Sequence, residues 1–242
     1  MKTELTRRDL LNQSAKIGST LALTGVALAM PTGQESGKKS EEPEVTATED
    51  LMREHGVIRR ALLVYVEVVP KLRQNAAAID AAALQRTAKL FRTFAEDYHE
   101  RMLEEQHIFP TVRKMGPELA RYADVLIEQH KRGREITEYV LAVTNGPKIS
   151  TGHAEPLARA FEGLDRMYEN HAAREDTIVF PAWKKNFSNK QLDELSDQFE
   201  EIEHKMFGKD GFEDAEKTIS GIESTLGFAD LAQFTAPPAP KP

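Results

Sequence analysis

The sequence predicts an all-α protein, namely an up-down four-helix bundle with an additional short C-terminal helical segment. From Leu51 onward, apolar residues recur at steps of three and four, which is the spacing of one face of an α-helix. No segment shows the sustained alternation of apolar and polar residues that indicates a half-buried strand. Four long helical segments joined by short connections favour a bundle.

The first residues of the chain have the features of a signal peptide, which we assign to residues 1–29. The run Thr6-Arg7-Arg8-Asp9-Leu10-Leu11 is similar to the twin-arginine export signature and precedes an uncharged stretch rich in Leu and Ala. That stretch is shorter than the ~20 apolar residues of a membrane-spanning helix, and it ends in the small-x-small sequence Ala27-Leu28-Ala29. We expect twin-arginine export to the periplasm or extracellular space and no membrane association after cleavage. A retained membrane anchor is the alternative.

Three further regions follow the predicted signal peptide. Residues 30–47 are polar and contain Gly, Ser and Pro, so they predict a flexible linker. Residues 48–210 contain the helical periodicity of the bundle. Residues 211–242 are predicted to form a C-terminal helical extension that ends in a Pro-rich tail.

Local signals mark the ends of the predicted helices. Pro70 is expected to kink or end the first helix, and the Asp80 side chain is suited to cap the second. Pro117 is suited to begin the third helix, which the Asn-Gly-Pro sequence at 145–147 would end. A fourth helix carries an apolar stripe over 157–182. Ser188 with Gln191 then forms a capping box that opens a shorter fifth helix.

The composition excludes several classes of function. The chain has no cysteine, so disulfides, thiolate zinc sites, iron–sulfur clusters and cysteine nucleophiles are absent. The net charge is −7, and no block of Lys and Arg is interleaved with aromatic residues, so the sequence does not indicate nucleic-acid binding. No Ser-His-Asp nucleophile, P-loop or dinucleotide-binding glycine motif is present. The oligomeric state stays open.

Several histidines and a glutamate fall on the apolar stripes of the predicted helices. His55 lies in line with the first stripe, His130 with the third, and His171 and Glu175 continue the fourth. A lone buried histidine is usually a hydrogen-bonded core residue, but an ionised carboxylate buried among several histidines needs compensation. Without thiolates, His and Glu are ligands for iron, manganese or zinc, so the pattern indicates a buried metal site.

An internal repeat relates two halves of the predicted bundle. The segment over 98–110 is similar to the segment over 169–181, and both contain a His, a Glu and a Phe-Pro pair. His55 and His130 lie at matching distances before these segments. Such a repeat predicts a pseudo-two-fold arrangement in which each half contributes two histidines and one carboxylate able to bridge two metal ions.

These motifs resemble the hemerythrin-like, His-His-Glu cation-binding family over roughly residues 49–209. The resemblance implies an up-down four-helix bundle that holds a non-haem di-iron centre, meaning two iron ions. The metal ligands that it implies are His55, His99, Glu104, His130, His171 and Glu175. Family members often bind metal through five histidines, and His204 is the candidate for the fifth. His107 and His153 are predicted to be surface residues.

One spacing departs from the repeat. Glu175 follows His171 by four residues, about 40° around an α-helix, whereas Glu104 follows His99 by five, about 140°. We therefore predict a single π-bulge between His99 and Glu104. With unbroken α-helical hydrogen bonding, Glu100 or Glu105 would replace Glu104.

The resemblance implies three alternative functions. The first is binding of dioxygen, or a similar small diatomic or peroxide ligand, for carriage, storage or sensing. The second is a di-iron oxidoreductase that acts on peroxide, oxygen or nitric oxide. The third is a helical module that holds a metal only for stability. Tyr65, Tyr98 and Tyr168 lie near the predicted ligand levels and are suited to donate hydrogen bonds there, although packing alone also explains them.

Overall fold

The computed structural model describes residues 45–240, and within that range the chain forms six helices and no strand. The helices are α1 Ala47–Asn75, α2 Ala81–Leu90 continued by Phe91–Ile108 and Phe109–Val112, α3 Pro117–Val143, α4 Thr151–Arg174 continued by Glu175–Val179 and Phe180–Lys184, α5 Asn189–Phe207 and α6 Gly211–Leu226. Single 3₁₀ turns occur at Ala76–Ala78, Arg113–Met115 and Leu231–Phe234. The prediction of an all-α fold is confirmed.

The predicted signal peptide lies outside the described residues, as does nearly all of the predicted linker. Both assignments, and the domain boundaries drawn from them, stay predictions. Among residues 45–240, no helix has the length and apolar character needed to cross a membrane.

Most helix ends follow the signals found in the sequence. The Asp80 side chain accepts a hydrogen bond from the Ala83 N–H at 3.0 Å and caps α2. Pro117 is the first residue of α3, where its missing N–H has no cost. Ser188 and Gln191 form the reciprocal capping box of α5.

Pro70 does not end the first helix. It lies inside α1, which continues for a further turn to Asn75. An internal proline costs about 3 kcal/mol because it removes a backbone hydrogen bond and crowds the preceding turn. The residues on either side, Val69 and Leu72, are buried in the core, and this burial favours the continued helix.

The first four helices form a closed ring of neighbours around one core. α1 packs against α2 and α4, and α3 packs against the same two helices. Tyr65 of α1 stacks on Phe161 of α4 with ring centroids 4.2 Å apart. α5 covers one end of this ring, where Phe199 stacks on Trp183, and α6 packs outside on α1 and α2.

Two stretches of the bundle have π-helical hydrogen bonding, in which an N–H bonds to the carbonyl five residues earlier. The first covers Phe91–Ile108 of α2 and the second covers Glu175–Val179 of α4. The wider turn expected between His99 and Glu104 is therefore present, but it extends over 18 residues and is not a single bulge. The π segment of α4 was not predicted.

Candidate metal centre

Four histidines, one from each helix of the bundle, meet in the core. His55 lies on α1, His99 on α2, His130 on α3 and His171 on α4, and each is at most 3% exposed. The Nε2 atoms of His55 and His99 are 3.0 Å apart, and those of His130 and His171 are 3.2 Å apart. The imidazoles therefore form two pairs that face a common interior point.

Two buried carboxylates join the pairs. Glu104 places one oxygen 3.3 Å from His99 Nε2 and the other 3.3 Å from His130 Nε2. Glu175 Oε2 lies 3.0 Å from His171 Nε2 and 3.4 Å from His55 Nε2. Each carboxylate thus spans one histidine of each half, as the internal repeat predicted. We call the four histidines, Glu104 and Glu175 the metal centre.

The donor atoms of the metal centre fall into two overlapping groups. Glu104, His130, His171 and Glu175 form one group, and His55, His99 and Glu104 form the other, with the donor atoms in each group within 4.8 Å of one another. The two groups share Glu104. The metal centre therefore offers two adjacent positions at which a cation would meet at least three side chains. A third such group among the described residues, Glu100, Glu105 and His130, lies on the other side of the His130 ring.

The unsatisfied atoms of the metal centre fit a metal. All four carboxylate oxygens of Glu104 and Glu175 are buried, and no described residue donates a hydrogen bond to them. Burying an ionised carboxylate without compensation costs several kcal/mol, and a metal ion surrounded by imidazole and carboxylate ligands supplies that compensation. The donor set, nitrogen with hard oxygen and no sulfur, suits iron, manganese or zinc.

The electrostatics of the metal centre favour positive charge. Burial lowers the pKa of His130, but the neighbouring carboxylates of Glu100, Glu104 and Glu105 outweigh burial and raise this pKa to about 10. The same balance raises the pKa of His55 and of His99.

The pKa values of the two central carboxyls, Glu104 and Glu175, shift downward. Burial raises the pKa of Glu104 and of Glu175, but the imidazoles around them lower both below the ordinary range, so both carboxyls are ionised. Two fixed negative charges at the bundle centre attract a cation.

Every histidine of the metal centre has a hydrogen-bond partner at Nδ1, on the side of the ring that faces away from the centre. The Nδ1 contacts are His55 to Asp176 at 2.7 Å, His99 to Glu54 at 2.7 Å, His130 to Glu105 at 2.9 Å and His171 to Gln129 at 2.9 Å. A neutral imidazole that donates from Nδ1 keeps the lone pair of Nε2 for a metal ion. All four Nε2 atoms consequently face the centre as potential ligands.

These supporting contacts repeat the pseudo-two-fold relation. Arg59 contacts Asp176 at 3.2 Å in one half, and Arg134 contacts Glu105 at 2.6 Å in the other. Glu54 directly precedes His55, as Gln129 precedes His130. The two halves differ here because Glu54 offers His99 a carboxylate, whereas Gln129 offers His171 a neutral amide.

Two of the three tyrosines donate hydrogen bonds at this level. The Tyr98 hydroxyl donates to Glu54 at 3.2 Å, and the Tyr168 hydroxyl donates to Glu100. The Tyr65 hydroxyl is buried and has no hydrogen-bond partner among residues 45–240, and its ring packs on Phe161. Burial raises the pKa of Glu100 to about 7.

A small enclosed cavity of about 10 Å³ lies beside the metal centre. Its polar wall includes His55, His99 and Glu100, and its apolar wall includes Ile58 and Leu62. A space of this size holds one water-sized molecule. The cavity therefore admits only very small ligands to the metal centre.

His204 does not join the metal centre. Its side chain is exposed on α5, and it belongs to none of the metal-capable groups found among the described residues. The expectation of a fifth histidine therefore has no support in the structure, and we leave His204 out of the proposed ligand set. His153 is exposed and His107 is half-buried beside Phe199, away from the metal centre.

Glu104 faces the Nε2 atoms, whereas Glu100 and Glu105 lie behind His130. Glu105 accepts from His130 Nδ1, and Arg134 contacts both Glu100 and Glu105. These two carboxylates already have a positive partner, so we retain Glu104 in the ligand set.

Four supporting residues were not predicted from the sequence in this role, namely Glu54, Glu105, Gln129 and Asp176. Each of them is the direct neighbour of a predicted ligand, and the two halves place Glu54 opposite Gln129 and Glu105 opposite Asp176. Position beside a ligand is the only hint that the sequence gives, because a polar residue next to an apolar stripe is ordinary.

Comparison with known proteins agrees with this geometry. The model of the hemerythrin HHE cation binding domain matches residues 46–183. Uncharacterized proteins from Mycobacterium bovis and from the CDC 1551 and H37Rv strains of Mycobacterium tuberculosis are each 40% identical over 233 residues, covering 95% of this chain and 90% of each relative. No solved structure matches the chain significantly. Since the matched segment contains all six residues of the metal centre, the chain belongs to the hemerythrin HHE cation-binding family.

Proposed function

We propose that the protein holds two iron ions at the metal centre and binds dioxygen there. The observation that carries this proposal is the set of four Nε2 atoms and four unsatisfied carboxylate oxygens enclosed between the two halves of the bundle. The ligands would be His55, His99, Glu104, His130, His171 and Glu175.

The proposal of two ions rests on the pairing of the donors. His55 and His99 form one pair, His130 and His171 form the other, and Glu104 and Glu175 each contact one histidine of both pairs. A single ion would leave one pair of Nε2 atoms and part of the carboxylate charge uncompensated. Two ions, held by the two histidine pairs together with Glu104 and Glu175, would compensate all of these groups.

The proposal of iron rests on the number and type of donors. One donor group has two imidazoles and two carboxylates, and the other has two imidazoles and one carboxylate. Each ion would therefore have few protein ligands, which would leave open positions on an octahedral metal. A structural zinc site is closed by four protein ligands and needs no adjacent cavity. A di-iron centre, when bound, supplies reversible electron transfer to a bound oxygen molecule.

The surrounding residues would control what reaches the metal centre. Ile58 and Leu62 present hydrocarbon to the small cavity, so they disfavour water there, and the small volume excludes larger solutes. Glu100 and Tyr168 form a hydrogen-bonded pair in the same cavity wall. A small ligand in this cavity would therefore contact hydrocarbon on one side and the Glu100–Tyr168 pair on the other.

Iron loading followed by stopped-flow spectroscopy tests this proposal. We expect about two irons per chain after anaerobic reconstitution with Fe²⁺, and an oxygen adduct that is lost again when oxygen is removed. Glu104→Ala and Glu175→Ala should each abolish the paired site, and the exposed His204→Ala should not. One tightly held zinc per chain, with no response of the iron-loaded protein to oxygen, would refute the proposal.

An oxidoreductase acting on peroxide, oxygen or nitric oxide is the second candidate. The Tyr168 hydroxyl and the Glu100 carboxyl, joined by a hydrogen bond at the cavity wall, are the observation that favours it, because reduction of such substrates consumes protons. Sustained consumption of substrate over many turnovers by the iron-loaded protein would support this function. A single stoichiometric, reversible adduct would support oxygen binding instead.

We also propose that residues 1–29 direct export by the twin-arginine route. The support is the Arg7-Arg8 pair followed by a short uncharged stretch. Fractionation of cells that express the full chain should find it outside the cytoplasm, and replacing both arginines by lysine should retain it inside. Equal export of the two forms would refute the proposal.

A further inference from the structure

A second pocket, of about 310 Å³, opens on the surface between α3 and α4. Arg121 and Arg174 lie in its wall together with Tyr122, Val125 and Gln129. We call it the arginine pocket. Its volume is at the lower end of small-molecule sites and is much larger than an inorganic ion requires.

The two arginines give the pocket an uncompensated positive charge. Neither Arg121 nor Arg174 forms an ion pair with any residue over 45–240, although the chain as a whole carries a net charge of −7. Acidic residues close by in sequence are paired elsewhere, with Asp124 on Arg113 and Asp176 on Arg59. The two guanidinium groups are therefore available to a ligand.

The Arg174 side chain is held in place without charge neutralisation. Its Nη1 donates to the carbonyl oxygen of Asn170 at 3.0 Å and to the side-chain oxygen of Asn170 at 3.1 Å. A guanidinium group has five N–H donors in a planar fork, so this contact leaves other donors for a carboxylate.

The rest of the wall favours an organic body over a bare anion. Val125 is 51% exposed, and it lines the pocket together with Tyr122. A ligand with a flat apolar body and one carboxylate would cover Val125 and contact both arginines. Inorganic phosphate would use only the charges.

Gln129 connects the pocket to the metal centre. Its side-chain oxygen accepts from His171 Nδ1 at 2.9 Å, and its amide nitrogen forms no hydrogen bond with a described residue, so it is free to donate into the pocket. The equivalent residue of the other half is Glu54. A carboxylate at position 129 would repel an anion, and the amide does not.

From these observations we infer that the arginine pocket is a binding site for a small organic carboxylate with an apolar, planar body. The bound carboxylate is held by Arg121 and Arg174, and the body lies against Tyr122 and Val125. Only Gln129, whose side-chain oxygen accepts from His171, then separates the ligand from His171. This inference is independent of which metal the protein binds.

Benzoate is a suitable probe, measured by calorimetry or by NMR chemical-shift changes on the full chain in both metal-free and iron-loaded forms. Benzamide has the same shape without the charge, and inorganic phosphate has charge without the apolar body. We expect saturable binding of benzoate and binding at least roughly threefold weaker for each control compound, since a charge-assisted contact is stronger than a neutral one.

Variants locate the site. Arg121→Gln and Arg174→Gln should each weaken benzoate binding by roughly three- to tenfold. Arg166→Gln is the matched control, because Arg166 is an exposed arginine of α4 that forms no ion pair within the described range and lies outside the pocket. This variant should bind benzoate as the parent chain does.

The inference is overturned if benzoate does not bind, if benzamide or phosphate binds as well as benzoate, or if Arg166→Gln weakens binding as much as the pocket variants. Because the measurement is also made without metal, its failure is distinguishable from a failure to bind iron or oxygen.

Discussion

Glu54 and Gln129 occupy equivalent positions in the two halves, but only Glu54 carries a charge. Exchanging the two residue types tests how the supporting residues set metal affinity. Glu54 is 1% exposed and accepts a hydrogen bond from His99 Nδ1 at 2.7 Å, and its other oxygen accepts from Tyr98 at 3.2 Å. In Glu54→Gln, the amide oxygen still accepts from His99 and the amide nitrogen donates to the Tyr98 oxygen. The substitution therefore removes charge while preserving both contacts.

The magnitude follows from the type of hydrogen bond. A bond to a charged group contributes about 1.5–3 kcal/mol and a neutral one about 0.5–1.5 kcal/mol, so the loss is about 1–1.5 kcal/mol. That corresponds to roughly a tenfold loss in metal affinity, at the lower end of the ~10- to 100-fold range for residues that support metal-binding histidines. The same structure already contains the neutral arrangement, between His171 and Gln129 at 2.9 Å.

Competition with a chelating dye measures the affinity for Fe²⁺ under anaerobic conditions. Glu54→Gln should bind the metal about tenfold more weakly. Gln129→Glu should bind it more tightly, by up to about tenfold, since Gln129 is half-buried and water still solvates part of the new carboxylate. The double variant should return close to the parent affinity. An unchanged affinity in a folded Glu54→Gln protein would refute this account of the supporting residues.

Three further predictions follow from other parts of the structure. A Cβ on Gly133 would lie 2.3 Å from the Tyr168 hydroxyl, so Gly133→Ala should lower the free energy of unfolding by about 1–3 kcal/mol in urea titrations; adding Tyr168→Phe should restore part of it, and no recovery would contradict the steric explanation. The pKa of His130 is raised from 6.5 to about 10, so its contribution to the stability of the metal-free protein is complete below pH 6.5 and is lost as pH rises toward 10; urea unfolding across that range should show the decrease, and bound metal should suppress it. His204→Ala should leave the number of bound metal ions unchanged in metal analysis, because His204 is exposed and outside the metal centre; loss of an ion would restore the fifth-histidine assignment.

The helical framework was predictable because its signals are local. Asp80, Pro117 and the Ser188 capping box act within a few residues of the helix end that they define. Local signals could not predict whether the first helix ends at Pro70 or continues through it, since a proline is compatible with both outcomes. Burial of Val69 and Leu72 against other helices decides it, and that burial depends on the whole fold.

The candidate ligands were predictable from the repeat, whereas the supporting residues were not. A histidine on an apolar stripe is conspicuous, because the stripe predicts a buried position for a polar side chain. Glu54, Gln129 and Asp176 sit one residue away from a stripe position, where a polar residue is ordinary. Only the folded structure shows that these side chains reach across to an imidazole on another helix. His204 was proposed as a fifth ligand from the number of histidines expected at the site. That number does not say where a histidine lies in the fold, and His204 lies on the surface of α5.

The different lengths of the two π segments follow from the position of each carboxylate relative to its histidine. In both halves a Phe N–H bonds to the carbonyl of the carboxylate residue five positions earlier, Phe109 to Glu104 and Phe180 to Glu175. The proline that follows each Phe has no N–H for the usual α-helical bond, which favours this wider turn. In α4, His171 precedes Glu175 by four residues, so an α-helix up to Arg174 already places both on one face. In α2 the separation is five residues, and only turns widened upstream of Glu104 bring His99 and Glu104 to the same face. The extra residue in this half therefore requires a widened turn between His99 and Glu104, and the π-helical segment Phe91–Ile108 spans that interval.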